Sequence, residues 1–328
     1  IWSLDTGSLI SIGNVNSFNN LKYRTIGGRT IRLIIQDDNG CYDTIYNKLN
    51  VLEHPSAVAV VNDKDQCVNQ NVFEYKTTGT QAANNSRIQS YVWSFPSGAN
   101  ISSSSNSTVS NVSYTNAGQY KSRLIVVDSN GCRDTQEISV TVREMPNPVI
   151  SITDSIDCFK GNSFNFSATS STTSSTTTIT SFKWDFDVDE VGGVSHAQIP
   201  SSYSVNDDVV NGLTYDSFLN FKIKLIVKDG HGCSDSVYSR VTVLENPYAD
   251  FTINNDTQCF DGNSFDFSAA LSKSSANSNI ARYLWDFGSD AKPSKDSSSS
   301  VQGVIFSKGS TSNKTIKLII FDVNGCPD

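Results

Sequence analysis

The spacing of four tryptophans constrains this chain more than any other feature of its sequence. They stand 91, 91 and 101 residues apart, at Trp2, Trp93, Trp184 and Trp285. Gly-Cys pairs recur at spacings of 91, 101 and 93 residues and end at Cys41, Cys132, Cys233 and Cys326. A second cysteine series precedes the next tryptophan by 26 residues each time, at Cys67, Cys158 and Cys259. Three markers with one period predict tandem copies of a domain the size of a β-sandwich, about 100 residues, rather than solenoid units.

Apolar residues alternate within each copy, which is typical of strands with one buried face. Phe164 and Phe166 flank a single polar residue, so both rings point to one face of a strand. The tryptophans lie in similar segments and are predicted to fill the core. Apolar runs predict a first strand in three copies, at 57–61, 149–152 and 249–253. Abundant Ser, Thr and Asn favour turns and strand surfaces over helices, so we predict an all-β protein.

The end of each copy predicts a β-hairpin. An outward cation precedes an inward leucine, as in Lys224-Leu225, and a turn of the form Asp-x-Asn-Gly-Cys follows, with His231 in place of Asn in the third copy. Asn-Gly between alternating strands is a strong hairpin signal because both residues accept positive φ. Return strands are predicted at 136–142 and 237–243.

Short linkers with a proline join the copies, at Pro55, Pro146 and Pro247. Proline fixes φ, so these joints are expected to be stiff. The predicted domains are the C-terminal part of a copy at 1–53, copies at 54–145 and 146–245, and a copy lacking its last strand at 246–328. The third copy carries a ten-residue insertion between Trp184 and Gly232. Stacked in a line, the copies are expected to form an extended rod cut from a longer array.

The charge balance argues against two classes of partner. The chain has 25 Lys and Arg against 33 Asp and Glu, a formal net charge of −8. Binding to a phosphate backbone calls for clustered cations, so we expect no nucleic-acid partner. No stretch approaches the ~18 consecutive apolar residues of a spanning helix, so we expect no membrane insertion in this segment.

The repeat resembles the PKD (polycystic kidney disease) domain family of Ig-like β-sandwiches. The resemblance rests on Trp-Asp-Phe strands at 184–186 and 285–287 and on the closing Asp-x-x-Gly-Cys-x-Asp hairpin, and it is weaker in the first two copies. The additional cysteine ahead of each tryptophan is similar to tandem arrays on giant Bacteroidetes surface proteins, such as gliding-motility adhesins of the SprB type. That resemblance implies type IX secretion, an extracellular position at the outer membrane, and adhesion to surface polysaccharide or other cell-surface proteins.

The cysteines predict disulfides rather than zinc ligands, because His54, His196 and His231 stand at unrelated places and no closely spaced cysteine pair exists. Two pairings remain open. If the first cysteine of a copy lies in the turn between the first two strands (the A–B turn) and the second in the turn between the last two (the F–G turn), the two cysteines lie at opposite ends of the sandwich. Their Cα atoms are then too far apart for the ~7 Å separation of a bridge. Bridges then join consecutive copies, as Cys67–Cys233 and Cys158–Cys326. The alternative is pairing within a copy, as Cys67–Cys132, Cys158–Cys233 and Cys259–Cys326. In either case the partner of Cys41 lies outside the sequence.

Carboxylates cluster once, at 185–190. On a strand, Asp185, Asp187 and Asp189 would share one face and repel each other unless solvated or bound to a cation, so they are weak candidates for calcium ligands. No other cofactor is expected. Asp pairs around each hairpin turn, such as Asp128 and Asp134, are interpreted as turn-stabilising Asx hydrogen bonds.

Thr44, Ser155 and Ser236 follow an Asp and precede Ile or Val, a pattern that resembles the O-glycosylation motif of exported Bacteroidetes proteins. The insertion of the third copy is the expected place for a ligand contact private to that copy, since loops on rigid scaffolds often carry function.

No catalytic motif is present, and no carboxylate pair beyond the turn positions recurs in every copy. We therefore predict a non-enzymatic stalk segment of a secreted cell-surface adhesin, whose partners include the neighbouring repeats of the same chain. The alternative is a spacer or carbohydrate-binding array of an extracellular polysaccharide-degrading enzyme.

Overall fold

A computed structural model describes residues 1–4, 15–17, 19–189, 194–204, 206–276, 278–307 and 313–328. These residues form strands, turns and loops and contain no helix, which confirms the all-β prediction. The chain divides into two compact units, residues 1–145 and 146–328. Below, repeats 1 to 4 denote the four predicted copies, of which the first two lie in the first unit and the last two in the second.

The first unit contains three sheets. Repeat 1 contributes the sheet β1-β2-β3, with β1 (Trp2–Leu4), β2 (Gly27–Gln36) and β3 (Tyr42–Val51). Repeat 2 is a sandwich whose smaller sheet has the order β4-β6-β9, with β4 (Val60–Val61), β6 (Phe73–Lys76) and β9 (Thr108–Val112). Its larger sheet has the order β5-β11-β10-β7-β8, with β5 (Asp65–Cys67), β7 (Ile88–Ser94), β8 (Ser103–Ser104), β10 (Gly118–Asp128) and β11 (Arg133–Arg143).

The second unit repeats this plan twice. In repeat 3 the sheet β12-β14-β17-β16 contains β12 (Ser151–Ile152), β14 (Phe164–Ser167), β16 (Ala197–Gln198) and β17 (Val209–Tyr215). It faces the sheet β13-β19-β18-β15, with β13 (Ile156–Cys158), β15 (Ile179–Asp185), β18 (Asn220–Asp229) and β19 (Ser234–Leu244). Repeat 4 has the sheet β20-β21-β25-β23, with β20 (Thr252–Ile253), β21 (Phe265–Ser268), β23 (Ala291–Lys292) and β25 (Ser300–Phe306). Its other sheet, β24-β22-β26, contains β22 (Ile280–Asp286), β24 (Lys295–Asp296) and β26 (Lys317–Asp322).

Each sandwich closes around its tryptophan, as the alternation predicts. Trp93, Trp184 and Trp285 are buried, and each ring stacks on the phenylalanine two residues later, with interplanar angles of 12°, 9° and 9°. Phe164 and Phe166, two residues apart on β14, both point into the core of repeat 3. The strand period of two therefore positions the largest side chains on the inner face of each sheet.

The first strands are shorter than the sequence predicts, and in repeats 2 and 3 the first cysteine is not in an A–B turn. The apolar runs form regular strand only at their last two residues, in β4, β12 and β20. A second short strand, β5 or β13, then crosses to the other sheet and pairs in parallel with the return strand. Cys67 and Cys158 end these strands, opposite Arg143 and Leu244 at the end of the return strand. The return strands β11 and β19 are longer than predicted.

The hairpin turn also differs from the predicted form, in which both Asn and Gly have positive φ. Gly131 has φ of 82°, whereas Asn130 is not in the left-handed region. The Asp128 carbonyl accepts the Gly131 N–H at 3.0 Å, and the Asp128 N–H donates to the Cys132 carbonyl at 3.0 Å. This is a type I turn followed by a left-handed glycine, so only the glycine position demands positive φ. His231 can therefore replace Asn in repeat 3.

Candidate functional site

A disulfide joins consecutive repeats in the second unit. Cys158, at the end of β13 in repeat 3, is bonded to Cys326, in the hairpin turn of repeat 4, with a Cα separation of 5.5 Å. The two cysteines are 168 residues apart in sequence. This bridge confirms the predicted Cys158–Cys326 pair, and it excludes the within-copy alternatives Cys158–Cys233 and Cys259–Cys326 in this structure.

The bridge forms because both cysteines lie at the joint between the repeats. Cys158 pairs with Leu244, the last residue of β19, so it lies beside the linker that leads into repeat 4. The Phe159 N–H donates to the Leu244 carbonyl at 2.8 Å and continues this pairing past the cysteine. The hairpin of repeat 4 lies at the other end of its own sandwich, and that end contacts this end of repeat 3. The sequence therefore predicted the correct end of the sandwich for Cys158, although it did not predict β13, the strand that carries this cysteine.

Polar contacts surround the disulfide and also cross the joint. Asn246 of the linker accepts the Lys160 N–H at 2.7 Å through its side-chain oxygen and donates to the Pro327 carbonyl at 2.7 Å. The Lys160 ammonium pairs with the Asp328 carboxylate. The other oxygen of Asp328 accepts the Ala249 N–H at 2.6 Å. One linker, one hairpin and one strand end are thus held together by covalent, ionic and hydrogen bonds.

The environment of Asp328 favours its charged form. Burial raises the energy of the carboxylate, but the hydrogen bonds from Lys160 and the Ala249 N–H, with the charge of Lys160, outweigh it and hold the pKa of Asp328 below its usual value. Asp134 makes the equivalent contact in repeat 2, where it accepts the Ala57 N–H at 2.8 Å. Position 148 of repeat 3 is a proline, which has no N–H to donate.

The other cysteines divide into two groups. Cys67 and Cys233 are each disulfide-bonded, and their pairing with each other stays a prediction. Cys41, Cys132 and Cys259 are thiols in this structure, so the prediction that Cys132 and Cys259 form disulfides here was wrong. The reason is the register of pairing. When each leading cysteine bonds the Gly-Cys cysteine of the following repeat, as Cys158 does, the partners of these three are not among the cysteines of this sequence.

The first aspartate of each hairpin pair makes the predicted turn contacts in all four repeats, whereas Asp134 and Asp328 accept the linker N–H groups described above. One oxygen of Asp37, Asp128, Asp229 or Asp322 accepts the N–H groups two and four residues later, at 2.8 to 3.0 Å. The second oxygen differs between repeats. In repeat 4 it accepts the hydroxyls of Ser275 and Ser278 at 2.8 and 2.9 Å. In repeat 2 the second oxygen of Asp128 is buried with no hydrogen-bond partner among the described residues. Ala83 stands at the position of Ser275, and Ser86, at the position of Ser278, pairs with the Ser129 hydroxyl instead.

A buried asparagine in three repeats was missed by sequence reasoning. The Asn162 side chain donates to the Phe159 and Tyr215 carbonyls at 2.8 and 2.9 Å and accepts the Tyr215 N–H at 2.7 Å. Asn71 and Asn263 make the same three contacts in repeats 2 and 4. The signal was present in the sequence, since each asparagine follows the leading cysteine by four residues. The contact fixes the loop after that cysteine to the C-terminal end of β9, β17 or β25.

The carboxylate cluster does not share one strand face. β15 ends at Asp185, and Asp187 turns inward, where its carboxylate accepts the His196 N–H at 2.9 Å. Asp189 lies 3.7 Å from Lys222, and Glu190 lies outside the described residues. Among the described residues, no group of three or more His, Cys, Asp or Glu side chains is arranged to hold a metal ion.

The insertion of repeat 3 can be located from the tryptophan contacts. The indole N–H donates to a loop carbonyl 13 residues later in the other three repeats, and 23 residues later in repeat 3, where the Asp207 carbonyl accepts it from Trp184 at 2.9 Å. The ten additional residues therefore lie between Trp184 and Asp207. Residues 190–193 and 205 of this segment lie outside the described residues. The described part contains a shallow pocket of about 240 Å³ beside Tyr203 and Val210.

The candidate glycosylation residues all lie on the surface or partly on it. Ser155 is exposed in the turn before β13, whereas Thr44 and Ser236 are half-buried positions within β3 and β19. Their modification stays a prediction.

Comparison with known proteins gives one family match. The sequence profile of the PKD domain matches residues 53–142. The match falls on repeat 2, whose Trp-Ser-Phe-Pro strand resembles the family less closely than the Trp-Asp-Phe strands of repeats 3 and 4. No curated protein matches the sequence. No helix among the described residues is long and apolar enough to cross a membrane.

Several solved structures of multidomain proteins are similar at low sequence identity. A Ca²⁺-stabilised adhesin that helps an Antarctic bacterium bind ice is 9% identical, with a TM-score of 0.36 over 92% of this chain and 79% of that one. The N-terminal eight Ig domains of Down Syndrome Cell Adhesion Molecule are 14% identical, with a TM-score of 0.30 over 94% and 41%. Invasin, a bacterial integrin-binding protein, is 10% identical, with a TM-score of 0.26 over 83% and 59%.

Proposed function

We propose that this chain is a non-catalytic stalk segment of a secreted cell-surface adhesin. The observation that carries the proposal is the Cys158–Cys326 bridge, which joins two consecutive sandwiches rather than the two sheets of one. A bridge inside a domain stabilises that domain, whereas a bridge between domains resists their separation and bending. That property serves a protein whose task is to hold a distance under load.

The contacts around the bridge support the same role. Lys160, Asn246 and Asp328 connect the two repeats through side chains that do not belong to either core. A flexible inter-domain linker would need none of them. We propose that successive repeats stack in this way into an extended rod, and that Cys67 pairs with Cys233.

Peptide mapping without reduction tests the pairing. Digestion of the oxidised chain should release one peptide pair that contains Cys158 and Cys326 and another that contains Cys67 and Cys233. Recovery of Cys67–Cys132 or Cys158–Cys233 as the main species would contradict the proposal, since those bridges lie within single repeats. Digestion after reduction is the control and should release all these peptides separately.

Single-molecule pulling tests the mechanical role. A Cys67→Ser/Cys233→Ser chain keeps only the bridge between repeats 3 and 4. While oxidised it withholds the 168-residue loop from extension, and reduction should add about 590 Å of contour length at ~3.5 Å per residue. The matched control, in which Cys67, Cys158, Cys233 and Cys326 are all replaced by serine, should lack that reductant-dependent gain. Equal contour lengths before and after reduction would refute a load-bearing bridge.

The finer assignments rest on the resemblance to Bacteroidetes arrays and are proposed with it. They are export by type IX secretion, display at the outer membrane, a role in gliding motility or attachment, and glycosylation of Thr44, Ser155 and Ser236. Protease treatment of intact source cells should release peptides of this chain. Their recovery only after cell lysis would contradict surface display, and the intact mass of the native protein should show hexose increments.

A further inference from the structure

We propose that the outer face of the sheet β13-β19-β18-β15 of repeat 3 binds an acidic polysaccharide. The face, called here the basic face, consists of exposed or half-buried side chains on three neighbouring strands: Lys183 on β15, Lys222, Lys224 and Lys228 on β18, and Tyr238 and Arg240 on β19. The site goes beyond the stalk role, because a stalk needs no ligand along its length.

The strand register brings the cations together. Lys222 lies directly opposite Arg240, Lys224 opposite Tyr238, and Lys183 opposite Ile226, the residue between Lys224 and Lys228 on this face. Along β18 the face extends about 20 Å, from Lys222 to Lys228, at ~3.3 Å per residue. The result is an elongated, flat, positive surface in a chain whose formal net charge is −8.

The carboxylates among the described residues do not neutralise this surface. Like charges directly opposite each other on paired strands are destabilising, and Lys222 and Arg240 form such a pair. Two carboxylates approach the face. Asp185 lies opposite Lys224, and Asp189 lies 3.7 Å from the Lys222 ammonium. Five cations against these two leave an excess that an anionic ligand would compensate.

Tyr238 indicates which kind of polyanion fits. About half of its surface is exposed, at 49%, but the Lys222 and Lys224 ammonium groups lie 4.7 and 5.5 Å from the ring centroid. Ring faces occupied by ammonium groups are poorly placed to stack on nucleobases, which is how aromatic residues hold single-stranded nucleic acid. The exposed half of Tyr238 stays accessible to a ligand that is rich in hydroxyl groups. A polysaccharide with carboxylate or sulfate groups supplies both hydroxyls and spaced charges.

Repeat 2 shows that the fold itself does not require the basic face. At the matched positions it has Val92, Val127 and Ser139 in place of Lys183, Lys228 and Arg240. Glu137 stands where repeat 3 has Tyr238, and it forms a 3.2 Å ion pair with Lys121, the counterpart of Lys222. Two repeats with the same strands and register thus differ in charge. Among the described residues, the face of repeat 2 has the two cations Lys121 and Arg123 beside one carboxylate, whereas that of repeat 3 has five cations beside two carboxylates.

Affinity electrophoresis of the whole oxidised chain tests the site. Gels contain polygalacturonate as the carboxylated probe, dextran sulfate as the sulfated probe, or neutral dextran. We expect retardation by at least one acidic polymer and none by dextran. Tyr238→Glu, which imports the residue of repeat 2, and Lys222→Gln/Arg240→Gln should each weaken binding about tenfold or more, equivalent to ~1.4 kcal/mol. The matched control on repeat 2, Lys121→Gln/Arg123→Gln, should change binding less than twofold.

The outcomes separate the alternatives. Retardation by only one of the acidic polymers identifies carboxylate or sulfate as the recognised group. Absence of retardation by both, or equal losses in the repeat 2 control, would overturn the proposal. Tighter binding of a single-stranded DNA probe with the same variant pattern would also overturn it in favour of nucleic acid. Because none of these substitutions touches the joint, the disulfide and pulling results stay unchanged whichever outcome is found, so failure of this site is distinguishable from failure of the stalk.

Discussion

Ala83→Ser should stabilise the hairpin of repeat 2. Asp128 is fully buried, at 0% exposure, and one of its carboxylate oxygens has no partner among the described residues. In repeat 4 the matched Ser275 hydroxyl donates to the equivalent oxygen of Asp322 at 2.8 Å. Ala83 is itself buried, at 6%, so a hydroxyl added there would face the orphaned oxygen in the same register.

The magnitude follows from the cost of leaving a buried polar group unpaired. That cost is about 1–3 kcal/mol, and a hydrogen bond to a charged group contributes about 1.5–3 kcal/mol. Part of the gain is offset by fixing the serine rotamer and by removing its hydroxyl from water. We therefore expect the free energy of opening the repeat 2 hairpin to rise by about 1–2 kcal/mol. The reverse change, Ser275→Ala, should cost repeat 4 less than this, because Ser278 still donates to Asp322 at 2.9 Å.

Hydrogen exchange read by mass spectrometry measures each repeat separately in the intact chain. The reporting amides are those of Asn130 and Cys132, which donate to Asp128 at 3.0 and 2.9 Å. Their exchange in the Ala83→Ser chain should slow about 5- to 30-fold, whereas the equivalent amides of repeat 3 should not change. Unchanged or faster exchange in repeat 2, with repeat 3 constant, would show that the orphaned oxygen costs nothing. The explanation by Ala83 would then be wrong.

Two further predictions concern the contacts that fix each sandwich and each joint. Asn162→Ala removes three hydrogen bonds and leaves the buried N–H and carbonyl of Tyr215 without partners. The free energy of unfolding of repeat 3, measured by hydrogen exchange, should therefore fall by about 2–4 kcal/mol. The control Asn106→Ala, at an exposed position, should be neutral. The pKa of Asp328 lies below its usual 3.8, so its contribution to the joint is fully present above that value and is lost as the pH falls through the folded-state pKa. Exchange of the joint amides should accelerate below about pH 4 beyond the intrinsic rate, and Lys160→Gln should reduce this pH dependence.

Much of the architecture follows from periodicity. Because tryptophans, cysteines and hairpin turns recur at one interval, the sequence predicts the number of sandwiches, the strands around Trp184 and the pole at which each cysteine lies. The spacing could not reveal the short strand β13, since three residues carry too little pattern. Nor could it show that Asp187 turns inward, because this depends on a hydrogen bond from the His196 N–H, which lies in the loop that carries the insertion of repeat 3.

The buried asparagines show a different limit of sequence reasoning. Asn162 lies among glycine and serine, where asparagine is ordinarily read as a turn residue, and its burial depends on carbonyls of a strand 53 residues away. Its recurrence four residues after each leading cysteine was visible in the sequence. Only the structure shows that its side-chain amide bonds both the carbonyl and the N–H of one residue, Tyr215. The recurrence identifies the position in the sequence, and the buried hydrogen bonds explain why asparagine recurs there.

Residues that recur and residues that vary lie in different parts of the repeat. The tryptophan, the buried asparagine and the hairpin aspartate occupy the core or the poles, and the contacts at Cys158–Cys326 join one pole to the next. The outer sheet face and the loop after Trp184 differ between repeats without altering these contacts, since their side chains point to solvent. A chain built in this way can change what one repeat binds while the joint between repeats 3 and 4 keeps its contacts. A ligand site on repeat 3 and a stalk role for the array are therefore compatible in one protein.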